Sequence, residues 1–459
     1  MKTQQTHDQD NTGELDPEFG VGGMTELLSP DPDFTIYTSR VVAVGPDNLI
    51  YVAGLAKRVP IPQENKIFIF TRLDNSGHLD PTFGKQGYVT GWFGSKERPD
   101  VFYPRDIQFH DDKLFLIGEV HHYKQGELRL DCTVLCYHLN GEPDEDFADH
   151  GRFISNLPRG AGQSAQLSDY HETLLKNDRN QVSSGPYSTI NSGLSKSVFT
   201  LSDEHLLLVH YQNSQSFIIR LTLRGALDKT FNGTGYVGVR HDAYASLILH
   251  TLIIDNNGNY IAGGHARHES GHPPDAVVLI KYNPTGNLDT SFQQNGFLTI
   301  TPEDGETYLY LQQLENQPNN RILCIGGEVN KNSGKTSGLL ISREADGSKN
   351  IQFNGGNPVI TKDDSSNLGW YTSRFQSDGK FLISGWGGGS SLRERYYVVS
   401  RFGSDGKLDI SFGNGKGWLN FNNAPIALPS TAFMANKVLF QIRLEQGDYI
   451  ARGITTPVV

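Results

Sequence analysis

Gly77-His78-Leu79-Asp80-Pro81-Thr82-Phe83 decides the fold of this chain, because its pattern occurs at six other places. Gly13-Glu14-Leu15-Asp16-Pro17-Glu18-Phe19 precedes it; Gly141-Glu142-Pro143-Asp144-Glu145-Asp146-Phe147 and Gly225-Ala226-Leu227-Asp228-Lys229-Thr230-Phe231 follow. Gly286-Asn287-Leu288-Asp289-Thr290-Ser291-Phe292, Gly347-Ser348-Lys349-Asn350-Ile351-Gln352-Phe353 and Gly406-Lys407-Leu408-Asp409-Ile410-Ser411-Phe412 complete the set. From one Asp or Asn to the next the steps are 64, 64, 84, 61, 61 and 59 residues. A near-constant period of this length marks one supersecondary unit used seven times. The long third step implies an insertion of about 20 residues, within 152–195.

Each unit carries a second signature, a tight turn followed by an apolar run ending in Gly. Examples are GPDNLIYVAG (45–54), HDDKLFLIGE (110–119), DNNGNYIAGG (255–264), QPNNRILCIGG (317–327), QSDGKFLISG (376–385) and EQGDYIARG (445–453). Two-residue turns between short β-branched or aromatic runs predict antiparallel hairpins. A third strand follows, as in IFIFTRL (67–73) or AVVLIKY (276–282), and a short fourth comes after the marker, as in GYVTGWF (87–93), GYVGV (235–239), GFLTI (296–300) and GWLNF (417–421). No stretch has a helical period. Four antiparallel strands repeated seven times predict an all-β, seven-bladed β-propeller spanning 1–459 as one domain. The chain starts on a marker with no strand before it and stops after a third strand. Residues near 1–25 are therefore expected to dock beside 440–459 and close the ring, with 1–12 as a polar tail.

The markers G-x-L-D-x-x-F-[GN], combined with D-G-K followed by an apolar run and Gly, resemble those of the delta-60 repeat proteins, a bacterial family of β-propellers. The resemblance covers nearly the whole chain and implies architecture rather than activity. Pro143 in the third marker and Lys349 and Asn350 in the sixth depart from the pattern.

Composition narrows the partners. Of 459 residues 37% are hydrophobic and 20% charged, with 50 Gly, which excludes a helical bundle, a membrane span and a disordered chain. The formal net charge of −11 argues against nucleic acid as a partner. The polar N-terminus has no apolar signal core, so the expected location is the cytoplasm or a leaderless export route. Cys132, Cys136 and Cys324 lack metal or redox spacing and read as buried free thiols.

The marker Asp residues tempt a calcium assignment, but each stands alone, without the acidic ladder of a calcium loop. They read instead as acceptors for backbone N–H groups in a turn, with the Phe three residues on inserted between blades. If strands run up and down alternately, markers and tight turns share one uniform face, and varied loops occupy the other. Function is expected on the varied face. There the candidate ligand contacts are Trp92, Tyr103, Tyr244, Tyr308, Trp370 and Trp386, flat platforms beside polar groups. Tyr37-Thr38-Ser39-Arg40 recurs unchanged as Tyr371-Thr372-Ser373-Arg374, and Tyr103-Pro104-Arg105 is a looser copy. Arg40, Arg105 and Arg374 are thus candidates to enter the ring together and bind an anionic group, or to pair with local carboxylates.

Dedicated chemistry is scarce. His265, His268 and His272 share one loop-like run and are candidate metal ligands, with His121 and His122 in another; a solvated loop is the preferred reading. Ser333-Gly334-Lys335-Thr336 lacks the upstream Gly and following helix of a phosphate loop. No motif implies a cofactor. The expected function is a non-enzymatic scaffold recognising a carbohydrate or a protein through the varied face. The alternatives are a hydrolase or lyase acting on a sugar or lactone near the central channel, and a structural module of a larger assembly.

Overall fold

The computed structural model describes residues 12–58, 66–94, 99–124, 127–157, 198–201, 204–212, 215–268, 274–302, 305–363, 366–391, 394–421, 426–444 and 447–455. These residues form seven antiparallel sheets. Blade 1 is Phe34–Val44, Ile50–Arg58, Lys66–Leu73 and Tyr88–Gly91; blade 2 is Pro99–His110, Lys113–Lys124, Glu127–His138 and Arg152–Ile154. Blade 3 is Val198–Leu201, His205–Gln212, Gln215–Thr222 and Tyr236–Val239; blade 4 is Ser246–Ile254, Tyr260–Arg267, Ala276–Tyr282 and Phe297–Ile300. Blade 5 is Thr307–Gln317, Arg321–Asn330, Thr336–Arg343 and Val359–Thr361; blade 6 is Asn367–Phe375, Phe381–Gly388, Arg395–Phe402 and Trp418–Phe421. Blade 7 takes Ile426–Met434, Lys437–Arg443 and Asp448–Ile454 from one end of the chain and Met24–Glu26 from the other. The first strand of each blade touches that of the next, from blade 1 round to blade 7 and back. The seven first strands therefore encircle the centre of a seven-bladed propeller, as the repeat predicts.

Middle strands are apolar along their length because both faces are covered by neighbouring blades. Ala276–Tyr282 and Phe381–Gly388 are buried at every residue. The predicted strands stand with small shifts of end, and Phe93–Gly94 adds a two-residue fifth strand on the inner edge of blade 2. One prediction is corrected. The run 445–453 is not a first hairpin: Asp448–Ile454 is the third strand of blade 7, and the tight turn of that blade is Ala435-Asn436. Within the predicted insertion, Arg152–Ile154 is the regular fourth strand of blade 2, and 158–197 lie outside the described residues.

Ring closure follows the expected route. Met24 pairs with Ala451 and Glu26 with Tyr449. Asp16 donates its N–H to Arg452 O at 2.7 Å. Its carboxylate takes Arg452 Nε at 2.8 Å and Lys437 Nζ at 2.5 Å. The N-terminal tail before Thr12 lies outside the described residues.

The marker joins neighbouring blades. Asp80 accepts the Thr82 N–H at 3.0 Å and Thr82 Oγ at 2.6 Å, holding its turn. Its other oxygen takes Arg72 Nε from the third strand at 2.8 Å, and Arg72 extends Nη1 to the next blade at Leu139 O, 2.5 Å away. Arg220 with Asp228, and Arg452 with Asp16, repeat this arrangement. Phe83 is fully buried. A Cβ on Gly141, the first residue of the next marker, would run into its ring; Gly77 and Phe19, Gly225 and Phe147, Gly286 and Phe231, Gly347 and Phe292, and Gly406 and Phe353 show the same fit. These glycines also sit at positive φ, +83° for Gly77, so two independent constraints select Gly. At the seventh joint Gly13 faces Phe421 instead. The reading of the marker Asp as a turn acceptor and of the Phe as an insert between blades thus holds, and the third-strand Arg is an addition to it.

Candidate functional site

The first strands share an irregularity that sequence alone did not show. Pairing with the second strand skips one residue between Ser39 and Val41, Pro104 and Asp106, Leu249 and Thr251, Leu311 and Gln313, and Trp370 and Thr372. The extra residues are Arg40, Arg105, His250, Gln312 and Tyr371, and opposite them stand Gly54, Gly118, Gly264, Gly326 and Gly385. A Cβ on any of these glycines would occupy the place of a carbonyl oxygen from the bulged strand, that of Thr38, Tyr103, Ile248, Tyr310 or Gly369. In these five blades a Gly that closes the apolar run is therefore the residue that admits a β-bulge, whereas Gly453, in the third strand of blade 7, faces none. Blades 1, 2, 4, 5 and 6 thereby present one bulged side chain each from the innermost strands.

In blades 1 and 2 the bulged arginines form a polar cluster. Arg40 lies over the Tyr103 ring at 5.1 Å, and Lys66 Nζ lies 5.4 Å from the ring centre and 3.3 Å from Tyr103 Oη. His121 packs against Tyr103 at 4.2 Å between ring centroids. Arg105 Nη2 is 3.5 Å from Glu119 Oε2, His121 Nε2 is 3.7 Å from the same oxygen, and His210 Nδ1 of blade 3 is 4.0 Å from Oε1. Burial would raise the Glu119 carboxyl, yet His121, Arg105 and His210 hold it down at about 2. Burial lowers the His121 imidazole, Glu119 opposes this, and Arg105 and Arg40 lower it further. At neutral pH the cluster thus holds a fixed carboxylate, a neutral imidazole and three cations. The side chains of Arg105 and His121 keep 17% and 12% exposure, so the cluster is recessed yet reachable.

Other candidates are placed elsewhere. Trp370 and Trp386 are buried; Trp370 meets Phe402 edge-on at 6.2 Å, and Arg395 covers Trp386 at 3.8 Å. Neither presents a platform. Trp92 is half-buried against Phe34, Tyr244 is stacked on His268 at 4.6 Å, and Lys331 covers Tyr308 at 4.9 Å. Arg374 is exposed at the opposite, uniform-turn end of its strand, where Nη1 donates to Phe433 O at 2.8 Å. The repeated tetrapeptides are not equivalent: the bulge falls on Arg40 in blade 1 and on Tyr371 in blade 6, so Arg374 lies three residues beyond the position of Arg40.

The histidine run is corrected too. His265 is not in a loop, because its strand extends to Arg267; it is buried and packed on His250 at 4.7 Å. His268 is exposed beside Tyr244, and His272 lies outside the described residues. His121 and His122 likewise belong to the strand Lys113–Lys124; His122 Nε2 is 2.7 Å from Asp131 Oδ2. Among the described residues no three His, Cys, Asp or Glu side chains gather into a metal site. Cys132, Cys136 and Cys324 are buried free thiols, and Ser333–Thr336 forms a hairpin turn and the start of a strand. No helix of the described residues is long and apolar enough to cross a membrane.

No family model matches this sequence, and no curated protein matches it. Among solved structures it is similar to a protein of unknown function from Dyadobacter fermentans DSM 18053, at 8% identity over 95% of this chain and 99% of that one, with a TM-score of 0.44. The β-propeller domain of the Trilobed protease from Pyrococcus furiosus matches at 7% identity over 92% and 97%, TM-score 0.42. An alpha-L-arabinanase from Penicillium chrysogenum matches at 9% over 94% and 97%, TM-score 0.38. The propeller is read from this chain's own sheets, and no residue role passes to it from these structures.

Proposed function

We propose that the protein is a non-enzymatic binding scaffold that takes a carbohydrate at the Tyr103 cluster. The observation that supports this reading is the convergence of Arg40, Lys66 and His121 on one phenol ring between blades 1 and 2, with Arg105 joined to His121 through Glu119. Guanidinium and ammonium donors at fixed positions suit the hydroxyl and carboxyl oxygens of a sugar. Arg40, Lys66 and His121 already pack against the Tyr103 ring, which is buried, so the site works by hydrogen bonds rather than by stacking. Its recessed placement suits a sugar unit better than the broad face of a protein partner. The seven markers and their role at the blade joints support placing the chain with the delta-60 repeat proteins.

Glycan-array binding of the full chain tests the reading. Retention of a glycan by the wild type, and its loss in Arg40→Ala and Arg105→Ala, is expected. Absence of any bound glycan, or binding that both variants keep, overturns it. Release of products from a bound polysaccharide would replace it with the hydrolase or lyase reading.

A further inference from the structure

A cavity of about 840 Å³ opens on the uniform-turn face, away from the Tyr103 cluster. Its walls come from the ends of three first strands, at Val44, Arg374 and Phe433, and from both sides of the ring clasp, at Glu18 and Arg452. This volume lies in the range of small-molecule sites. Thr372, Asn48 and Asn436 offer hydroxyl and amide groups, and Phe433 and Met434 add apolar surface.

The charges are unequally committed. Lys437 and Arg452 both hold Asp16, at 2.5 and 2.8 Å. Arg374 spends Nη1 on a backbone carbonyl, and among the described residues no carboxylate pairs with it. A guanidinium with donors left, beside hydroxyl and amide side chains, matches a carboxylate on a polyhydroxylated body.

We propose that this cavity is a second binding site, for a small polyhydroxylated carboxylate held by Arg374, and that its occupant fastens the ring. A ligand here touches blades 6, 7 and 1 and the N-terminal segment of the clasp together. It binds only the closed ring, so occupancy raises the stability of closure by linkage. The inference does not depend on the Tyr103 reading, since no residue is shared between the two sites.

Titration calorimetry and thermal unfolding of the full chain, with D-glucuronate as the probe, test it. Glucuronate is expected to bind and to raise Tm by about 2 °C or more at saturation, whereas D-glucose and inorganic phosphate leave Tm unchanged. Arg374→Ala should weaken glucuronate binding at least about tenfold. Arg374 is exposed, so the unliganded variant should unfold within about 1 °C of the wild type. Thr372→Val, in the same wall, is expected to weaken binding as well. Failure of glucuronate to bind, an equal effect of phosphate, or binding that Arg374→Ala preserves overturns the proposal.

Discussion

Tyr37-Thr38-Ser39-Arg40 and Tyr371-Thr372-Ser373-Arg374 are identical in sequence and different in every contact that matters. In blade 1 the bulge falls on the fourth residue, Arg40, which lies over Tyr103. In blade 6 it falls on the first, Tyr371, and Arg374 reaches the opposite face. Ser39 donates its N–H and Oγ to Asp448 Oδ2 at 2.9 and 3.1 Å, joining blade 1 to blade 7. Among the described residues, Ser373 Oγ is buried with no hydrogen-bond partner. Register against the glycine of the second strand, not residue identity, assigns each side chain its role.

The comparison breaks hardest at those glycines. Gly54→Ala or Gly385→Ala puts a Cβ where the Thr38 or Gly369 carbonyl stands. Each should cost roughly 3 kcal/mol, in the upper range for overpacking a filled site, read as a lower midpoint in urea unfolding. Unchanged stability would show that the bulge is soft and that register is set elsewhere. The two serines give a smaller and more selective contrast. Ser39→Ala removes a buried hydrogen bond to a carboxylate and should cost about 1.5 kcal/mol. Ser373→Ala should stay within about 0.5 kcal/mol. Equal costs would contradict the register argument. The two arginines follow: Arg40→Ala should weaken glycan binding at the Tyr103 cluster about tenfold, close to 1.4 kcal/mol, while Arg374→Ala leaves that binding unchanged.

Much of the architecture was legible because it depends on residue types that have few substitutes. The marker Gly and Phe fill each other's space across a joint, as at Gly141 and Phe83, so period and blade number stand in the sequence. Closure was legible from the unpaired marker at one end and the missing fourth strand at the other. The site was not. Tight packing makes Trp370 and Trp386 core residues, although their neighbours Gly369 and Gly387 read as loop chemistry. His121 and His122, after Gly118, read as loop residues, yet the strand pairs through to Lys124. In blades 1, 2, 4, 5 and 6 a glycine closing the apolar run marks the bulge, and hence names the residue presented by the first strand.

A further small effect concerns blade 4, where the bulge falls on His250 and His265 packs against it. Burial, then His250 and Arg267, lower the His265 imidazole well below its ordinary value of 6.5. The folded chain therefore keeps His265 neutral, whereas the unfolded chain takes up a proton as pH falls through 6.5. The unfolded state binds more protons, so stability declines with acid and is unaffected well above neutrality. For one fully suppressed histidine the loss between pH 7 and pH 6 is about 0.7 kcal/mol. Glu119 acts in a separate window. Its carboxyl is held at about 2 against 4.5 when free, so its contribution is complete above 4.5 and fades below it. Urea unfolding at pH 7 and pH 6 separates the two, because His265 of the unfolded chain titrates between them while Glu119 stays ionised; His121, His210 and His241 are lowered by burial too and add to the slope, so the difference between wild type and variant isolates His265. His265→Phe should flatten the slope by that amount, and an unchanged slope would mean that the imidazole accepts its proton inside the folded ring.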